Sequence, residues 1–179
     1  MNSDTQILFR EEQRFRQKWL WALILPSLLL PLGIILYTTI RQYTTGIPVG
    51  NHHTSIENDI LGFTIVLIVE GGVLWLLYAA RLITELRTVG LYVQFFPFHF
   101  RFHKIELNEV QSFTARKYNP IGEYGGWGIR YGVKGKAYNV SGNYGVEFQY
   151  RNGKHLLIGS QKSEEFAKAL EQILPGKKL

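Results

Sequence analysis

The sequence WLWALILPSLLLPLGIILYTTI, residues 19–40, contains no charged side chain. At about 1.5 Å per residue, a helix of this length covers roughly 33 Å, enough to cross a hydrocarbon core of about 30 Å. Trp19 and Trp21 lie at one end and Tyr37 and Tyr43 near the other, and such rings favour the headgroup level of a membrane. The stretch therefore predicts a transmembrane helix.

A second apolar stretch, ILGFTIVLIVEGGVLWLLYAA, occupies residues 60–80 and carries one charge, Glu70. Its length also suffices for one crossing. A cleaved signal peptide is the alternative interpretation of the first stretch, but the apolar run is long for one and polar residues precede it. We therefore predict an anchor of two spans, 19–40 and 60–80, within an N-terminal domain of residues 1–80.

The positive charges that flank the two spans predict their orientation. Basic residues are retained on the cytoplasmic side of a membrane. They flank the pair of spans on its outer sides (Arg10, Arg14, Arg16 and Lys18 before it, Arg81 and Arg87 after it), whereas the loop between has Arg41 alone. This pattern predicts a multi-pass protein of the cell membrane with both termini cytoplasmic. Residues 9–19, FREEQRFRQKW, are predicted to extend the first span as a charged helix, with Glu11 and Glu12 in solvated ion pairs.

After the second span the hydrophobic pattern changes to period two, which is typical of strands with one buried face. Alternation occurs in residues 91–95, 98–102 and 146–150, so Phe98, Phe100 and Phe102 are predicted to be core residues. Gly90 predicts one hairpin turn, and Asn152-Gly153 a second. Residues 163–174 then form an amphipathic helix with Ser163 as N-cap.

About seven short antiparallel strands and a C-terminal helix over residues 81–179 define the fold class, an α+β membrane protein. This layout resembles the pleckstrin-homology-like (PH-like) fold, a bent sheet or partial barrel capped by one helix. Stretches 84–93 (TELRTVGLYV), 124–131 (YGGWGIRY) and 138–150, with Ile158-Gly159, resemble an uncharacterised group of two-span prokaryotic membrane proteins with a bacterial PH-like cytoplasmic domain. The resemblance implies no enzymatic activity.

Composition narrows the possible functions. The chain has no cysteine, which excludes disulfides, thiolate metal sites and a cysteine nucleophile. From residue 81 onward it has 15 Lys or Arg against 8 Asp or Glu, a balance that suits an anionic membrane surface. Nucleic acid is the other usual partner of basic domains, but no binding motif accompanies the charge. We predict membrane lipids as partners, no nucleic acid, no small-molecule substrate and no cofactor.

Glu70 is the most unusual residue of the spans. A carboxylate at mid-membrane is costly and is expected to face a partner or a cavity, and Gly71 and Gly72 would let another helix approach closely. We predict a contact between helices here, with ion or proton transport as the less favoured alternative.

Two further sets of residues are candidates for contacts. The loop with Gly125, Gly126, Trp127 and Arg130 is predicted to be a structural turn first and a partner surface second. Four residues that follow the second span in the sequence are candidates for contact with the membrane surface (Phe95, Phe96, Arg81 and Arg87).

Metal-site candidates in the sequence are weak. His52 and His53, followed by Glu57 and Asp59, have no recognised ligand spacing. His99 and His103 are predicted to share a strand face with Arg101 between them, which argues against a cation there.

The sequence thus predicts a protein that is not an enzyme. The expected function is a membrane-anchored interaction or scaffold module that self-assembles or binds a protein partner at the cytoplasmic membrane surface. The alternative is an accessory subunit of a larger membrane transporter or enzyme complex, with Glu70 buried in that complex.

Overall fold

The computed structural model describes residues 6–47, 55–132 and 134–179. The chain divides into two compact units. One combines the N-terminal residues through Phe15 with Ala79–Leu179, and the other is Arg16–Tyr78. The predicted boundary at residue 80 grouped the N-terminal segment with the helices, whereas the contacts group it with the β-rich part. His52 and His53 lie outside the described residues.

The helical unit contains α1 (Lys18–Thr45) and α2 (Ile56–Ala79). Both are long and apolar enough to cross a membrane, as the sequence predicted. The Tyr43 hydroxyl donates to Asp59 Oδ2 at 3.1 Å, which links the two helices near their connection. Gly46 ends α1 at a φ of 68°, a conformation that glycine adopts without steric cost.

A first sheet in the other unit has the order β1-β2-β3-β4. Its strands are β1 (Ile7–Arg14), β2 (Arg81–Arg87), β3 (Gly90–Phe96) and β4 (His103–Ile105). Strand β1 is antiparallel to β2, from Ile7 opposite Arg87 to Arg14 opposite Arg81. The predicted helical extension of span one is therefore wrong. The predicted hairpin between β2 and β3 is confirmed.

The inward face of β1 is partly polar. Glu11 is only 8% exposed, and its carboxylate accepts hydrogen bonds from Ser160 Oγ and the Gln161 backbone N–H. Gln13 Nε2 donates to the Gly159 carbonyl at 2.7 Å. The prediction that Glu11 is solvated is wrong, because distant residues satisfy it in the interior.

The second sheet has the order β5-β8-β9-β7-β6. Its strands are β5 (Val110–Lys117), β6 (Gly128–Gly132), β7 (Gly135–Asn139), β8 (Tyr144–Tyr150) and β9 (His155–Gly159). The predicted hairpin around Asn152-Gly153 joins β8 and β9. However, β7 runs parallel to β9, so the prediction of antiparallel strands alone is wrong. A short helix, α3 (Pro120–Tyr124), lies in the glycine-rich middle, where only strands and turns were expected.

The final helix, α4 (Ser163–Glu171), packs its apolar side into the core. Phe166, Ala167 and Leu170 are fully buried. Lys162 rather than Ser163 is the N-cap, and it makes no side-chain capping bond. The α+β class is thus confirmed.

One predicted strand is absent from the described chain. Residues 97–102 connect β3 to β4 without strand structure. Phe98 is 60% exposed and Phe100 79% exposed, so the prediction that they are core residues is wrong. These phenylalanines alternate with polar residues in the sequence, but they lie on a loop and do not form the buried face of a strand.

Candidate functional site

The end of the first sheet where β1 stops and β2 starts carries a small ion network. Arg14 Nη2 lies 2.6 Å from Glu12 Oε1, and Arg81 Nη1 lies 3.7 Å from the same oxygen. The hydrogen bond from Arg14 lowers the pKa of Glu12 against the opposing effect of burial. Surface ion pairs of this kind stabilise a fold little. They do place two arginines, Arg14 and Arg81, where β1 ends before the helices and β2 begins after them.

Residues 97–102, here called the aromatic loop, begin at this same sheet end, because Phe96 lies opposite Arg81 in the β2–β3 register. The Arg81 guanidinium lies 5.2 Å from the centroid of the Phe96 ring. The Phe96 and Phe100 rings meet edge to face at 6.1 Å. The exposed Phe100 ring is thus packed against the Phe96 ring, which itself lies beside a cation.

The four predicted membrane-surface residues have different environments. Phe95 is 2% exposed and belongs to the core, so it is not available to lipid. Phe96 is half-buried, and its ring contacts Phe100 of the aromatic loop on one side and the Arg81 guanidinium on another. Arg87 lies at the other end of β2, paired with Glu85 and stacked over the Tyr92 ring. The structure therefore retains Phe96 and Arg81 at one sheet end and adds Phe98 and Phe100, which the sequence pattern had assigned to the core.

The predicted glycine-rich surface is tied into the second sheet. Gly125 ends α3 at a φ of 71°, and Gly126 accepts a hydrogen bond from the Asn139 side chain. Trp127 Nε1 donates to the Gly142 carbonyl at 3.3 Å, and Arg130 Nε donates to the Trp127 carbonyl at 2.9 Å. These bonds agree with the predicted structural turn. The second bond holds the Arg130 side chain of β6 against the backbone of Trp127.

An ion cluster near α3 was not found from the sequence. Arg116 donates to Glu147 Oε2 at 2.7 Å and to Glu123 Oε2 at 2.8 Å, and Lys134 Nζ lies 3.3 Å from Glu123. The hydrogen bond from Arg116 lowers the pKa of Glu123 to about 2, although burial opposes the shift. Arg116 and Glu147 are far apart in the chain, so no local pattern signals their pairing.

Beside this cluster, the β6–β7 and β8–β9 turns enclose a cavity of about 460 Å³, here called the lysine cleft. Its side chains come from both turns, and three glycines complete its wall (Tyr131, Lys134, Lys136, Lys154 and His155, with Gly132, Gly135 and Gly153). The sequence showed only an excess of basic residues from residue 81 onward, which includes these lysines. The structure instead groups three of them around one cavity.

Of the histidine pairs considered as metal ligands, the structure describes His99 and His103. No group of three or more His, Asp or Glu side chains suited to a metal ion occurs in the described part of the chain. His99 lies in the aromatic loop and His103 in β4, and their rings meet at 4.0 Å. Burial lowers the pKa of His99, and the charges of His103 and Lys136 act in the same direction.

Within α2, the described residues provide no hydrogen-bond or ion-pair partner for Glu70. A Cβ added at Gly71 or Gly72 would meet no atom within 4 Å. Two of the three residues predicted as an intramembrane contact, Gly71 and Gly72, therefore lie next to open space among the described residues.

The model of a family of unknown function, DUF6141, matches residues 1–175. The chain belongs to the DUF6141 family. No curated protein matches it. The match covers both units of this DUF6141 chain, so β1, the two helices and the β-rich part all fall within the family.

Proposed function

We propose that this DUF6141 protein is a non-enzymatic, membrane-anchored interaction module. In this proposal α1 and α2 form the transmembrane anchor, and the β-rich unit lies on the cytoplasmic side. The observation that carries the proposal is the pairing of Arg14 with Arg81. It means that the chain leaves one sheet, forms two apolar helices and returns to the adjacent strand of the same sheet.

This pairing supports a hairpin anchor. A folded sheet lies on one side of a membrane, so a segment inserted between two of its paired strands has to cross an even number of times. Two helices of sufficient length meet this requirement. The charge pattern around them, with Arg41 alone in the connection, favours the cytoplasm for the sheet.

The side chains of the helices also suit a lipid environment. None of the residues of α1, all of which the structure describes, is buried. The hydroxyls of Ser27, Thr38 and Thr64 donate to carbonyls of their own helices. Polar groups satisfied within a single helix are what a hydrocarbon core requires.

We propose a PH-like fold for the β-rich unit. Two sheets share one core, and a C-terminal helix packs against it. On this interpretation the anchor is inserted between the first two strands of the domain. Membership of the prokaryotic two-span group with this layout stays a prediction that rests on the sequence resemblance.

The aromatic loop supports a position close to the membrane surface. A single residue, Ala80, separates α2 from β2, so chain connectivity keeps Arg81 near the end of a transmembrane α2. Phe98 and Phe100 share that sheet end, and exposed aromatic rings with nearby cations suit the headgroup region. We propose these two residues, rather than Phe95, as the lipid contacts.

Single cysteines test this topology, because the chain has none of its own. Ile47→Cys follows α1, Ile121→Cys lies on α3 and Phe100→Cys lies in the aromatic loop; all three native side chains are exposed. We expect an impermeant maleimide to label Ile47→Cys only from outside the cell and Ile121→Cys only in inverted vesicles. Phe100→Cys should react in detergent but be protected in both membrane preparations. Labelling of positions 47 and 121 from the same side would contradict the hairpin anchor.

Self-association through α2 is the interaction we favour, because Glu70 has no ion-pair partner among the described residues and Gly71 and Gly72 lie next to open space. Polar interactions between membrane helices contribute about 1 kcal/mol each. Glu70→Leu should therefore weaken the assembly roughly fivefold for each polar interaction that it removes between two copies. The measurement is native mass spectrometry of protein released gently from its membrane.

Glu57→Gln, a carboxylate replacement in the first turn of α2, is the matched control and should leave the assembly unchanged. Recovery of the wild-type chain in a fixed ratio with a different protein would favour the accessory-subunit alternative. Recovery of a monomer alone would contradict both functions.

A further inference from the structure

The lysine cleft exists because two turns meet through a parallel strand pair. Lys136 of β7 lies opposite Leu156 of β9. A Cβ added at Gly135 would collide with the His155 carbonyl oxygen, and Gly135 has a φ of 108°. Lys134 of the β6–β7 turn and Lys136 of β7 therefore line the same cavity as Lys154 of the β8–β9 turn.

The residues that line the cleft include three lysines, and two carboxylates, Glu123 and Glu147, lie near its edge. None of the described residues that line it is acidic. The Lys154 side chain has no ion-pair partner among the described residues, and Lys134 contacts only Glu123, at 3.3 Å. His155 Nδ1 lies 3.4 Å from Glu147 Oε1, without the alignment of a hydrogen bond. The Lys154 charge, at least, is therefore available to a ligand.

Lys136 is held in place by aromatic rings. Its ammonium lies 4.6 Å from the centroid of Tyr138 and 5.4 Å from that of Tyr131. Burial acts against the charged form, but hydrogen bonding with Tyr138 and Tyr131 outweighs it and raises the pKa of Lys136. A cation fixed between two rings loses little conformational freedom when an anion binds.

We propose that the lysine cleft binds a phosphate group, carried either by a soluble anion or by a lipid headgroup. Three lysines that line one cavity suit a compact, multiply charged anion, and lysine binds phosphate as a point charge. The volume falls within the range of roughly 300–1,000 Å³ that is usual for ligand sites. This site goes beyond the proposed scaffold function, because it gives the β-rich unit a ligand of its own.

The experiment uses the full-length chain and two probes. Inorganic phosphate is titrated calorimetrically into protein in a phosphate-free maltoside detergent. In the second arm the protein is reconstituted in nanodiscs of mixed phosphatidic acid and phosphatidylcholine, and the lipids it retains are identified by native mass spectrometry. Saturable binding in the first arm identifies a soluble phosphate, whereas selective retention of phosphatidic acid without it identifies a headgroup.

The variants separate a site from diffuse attraction. The pair Lys136→Gln and Lys154→Gln removes two charges of the cleft and should weaken binding roughly thirtyfold. Lys154→Gln alone changes an exposed side chain and keeps the test valid if the double variant misfolds; it should weaken binding roughly fivefold. Lys168→Gln removes an exposed lysine of α4 that does not line the cleft and should have no effect.

Two results would overturn the proposal. One is the absence of both saturable phosphate binding and selective retention of phosphatidic acid by the wild-type chain. The other is an equal loss of binding in the Lys154→Gln and Lys168→Gln variants, which would reduce the effect to the net charge of the domain. Neither result depends on oligomerisation, so this proposal and the proposed function can fail separately.

Discussion

Replacing Phe9 with alanine should lower the free energy of unfolding by about 3–5 kcal/mol, the usual cost of removing a buried aromatic ring. Phe9 precedes both helices in the chain but is only 4% exposed. Its ring stacks on that of Phe166 in α4, with the centroids 4.8 Å apart. The loss should appear in chemical denaturation of the detergent-solubilised chain, followed by near-ultraviolet circular dichroism.

Ile7→Ala is the matched control for this variant. Ile7 lies in the same strand but is 46% exposed, so its replacement should change stability by no more than about 0.5 kcal/mol. Equal and small effects at both positions would show that β1 does not pack into the core. That outcome would also remove the strand pairing on which the hairpin anchor depends.

Joining Phe15 to Ala79 through a short Asn-Gly turn, with the whole helical unit removed, should convert the protein into a soluble, folded domain. Arg14 and Arg81 are antiparallel partners, and Phe15, the Asn-Gly turn and residues 79–80 would join them as a loop of about five residues, within the usual length of a hairpin loop. The shortened chain keeps β1 and removes the two apolar helices. We expect it to remain in the supernatant after ultracentrifugation and to unfold in one cooperative transition.

The fragment of residues 81–179 provides the comparison. It lacks β1, so β2 becomes an edge strand with Leu82 and Leu86 left partly uncovered, although both are fully buried in the intact chain. Unpaired apolar edges promote aggregation, and this fragment should precipitate or form oligomers. If it folds as well as the hairpin-joined chain, β1 is dispensable and the insertion model loses its main support.

Some elements could be predicted because their signals are local. The apolar stretches at residues 19–40 and 60–80 are long enough to identify α1 and α2 without any tertiary contact. The Asn152-Gly153 turn and the alternation of residues 146–150 identify the β8–β9 hairpin in the same way. The apolar face of α4 follows from its helical period, and the structure buries it.

Strand β1 could not be recognised, because its buried face is polar at two positions. Glu11 and Gln13 look like surface residues until Ser160, Gln161 and Gly159 satisfy them. Those partners lie almost a full chain length away. The opposite error occurred in the aromatic loop, where alternating phenylalanines imitate a strand but have no core to face.

The sequence by itself determined the two long apolar helices, the basic balance of the β-rich part and two of its hairpins, since each depends on neighbouring residues. Only the tertiary structure decided that β1 belongs with β2, that Phe98 and Phe100 are exposed, and that three lysines surround one cavity. These features depend on contacts between residues far apart in the chain. Such contacts form when strands pair and bury a common core, so no local pattern contains them.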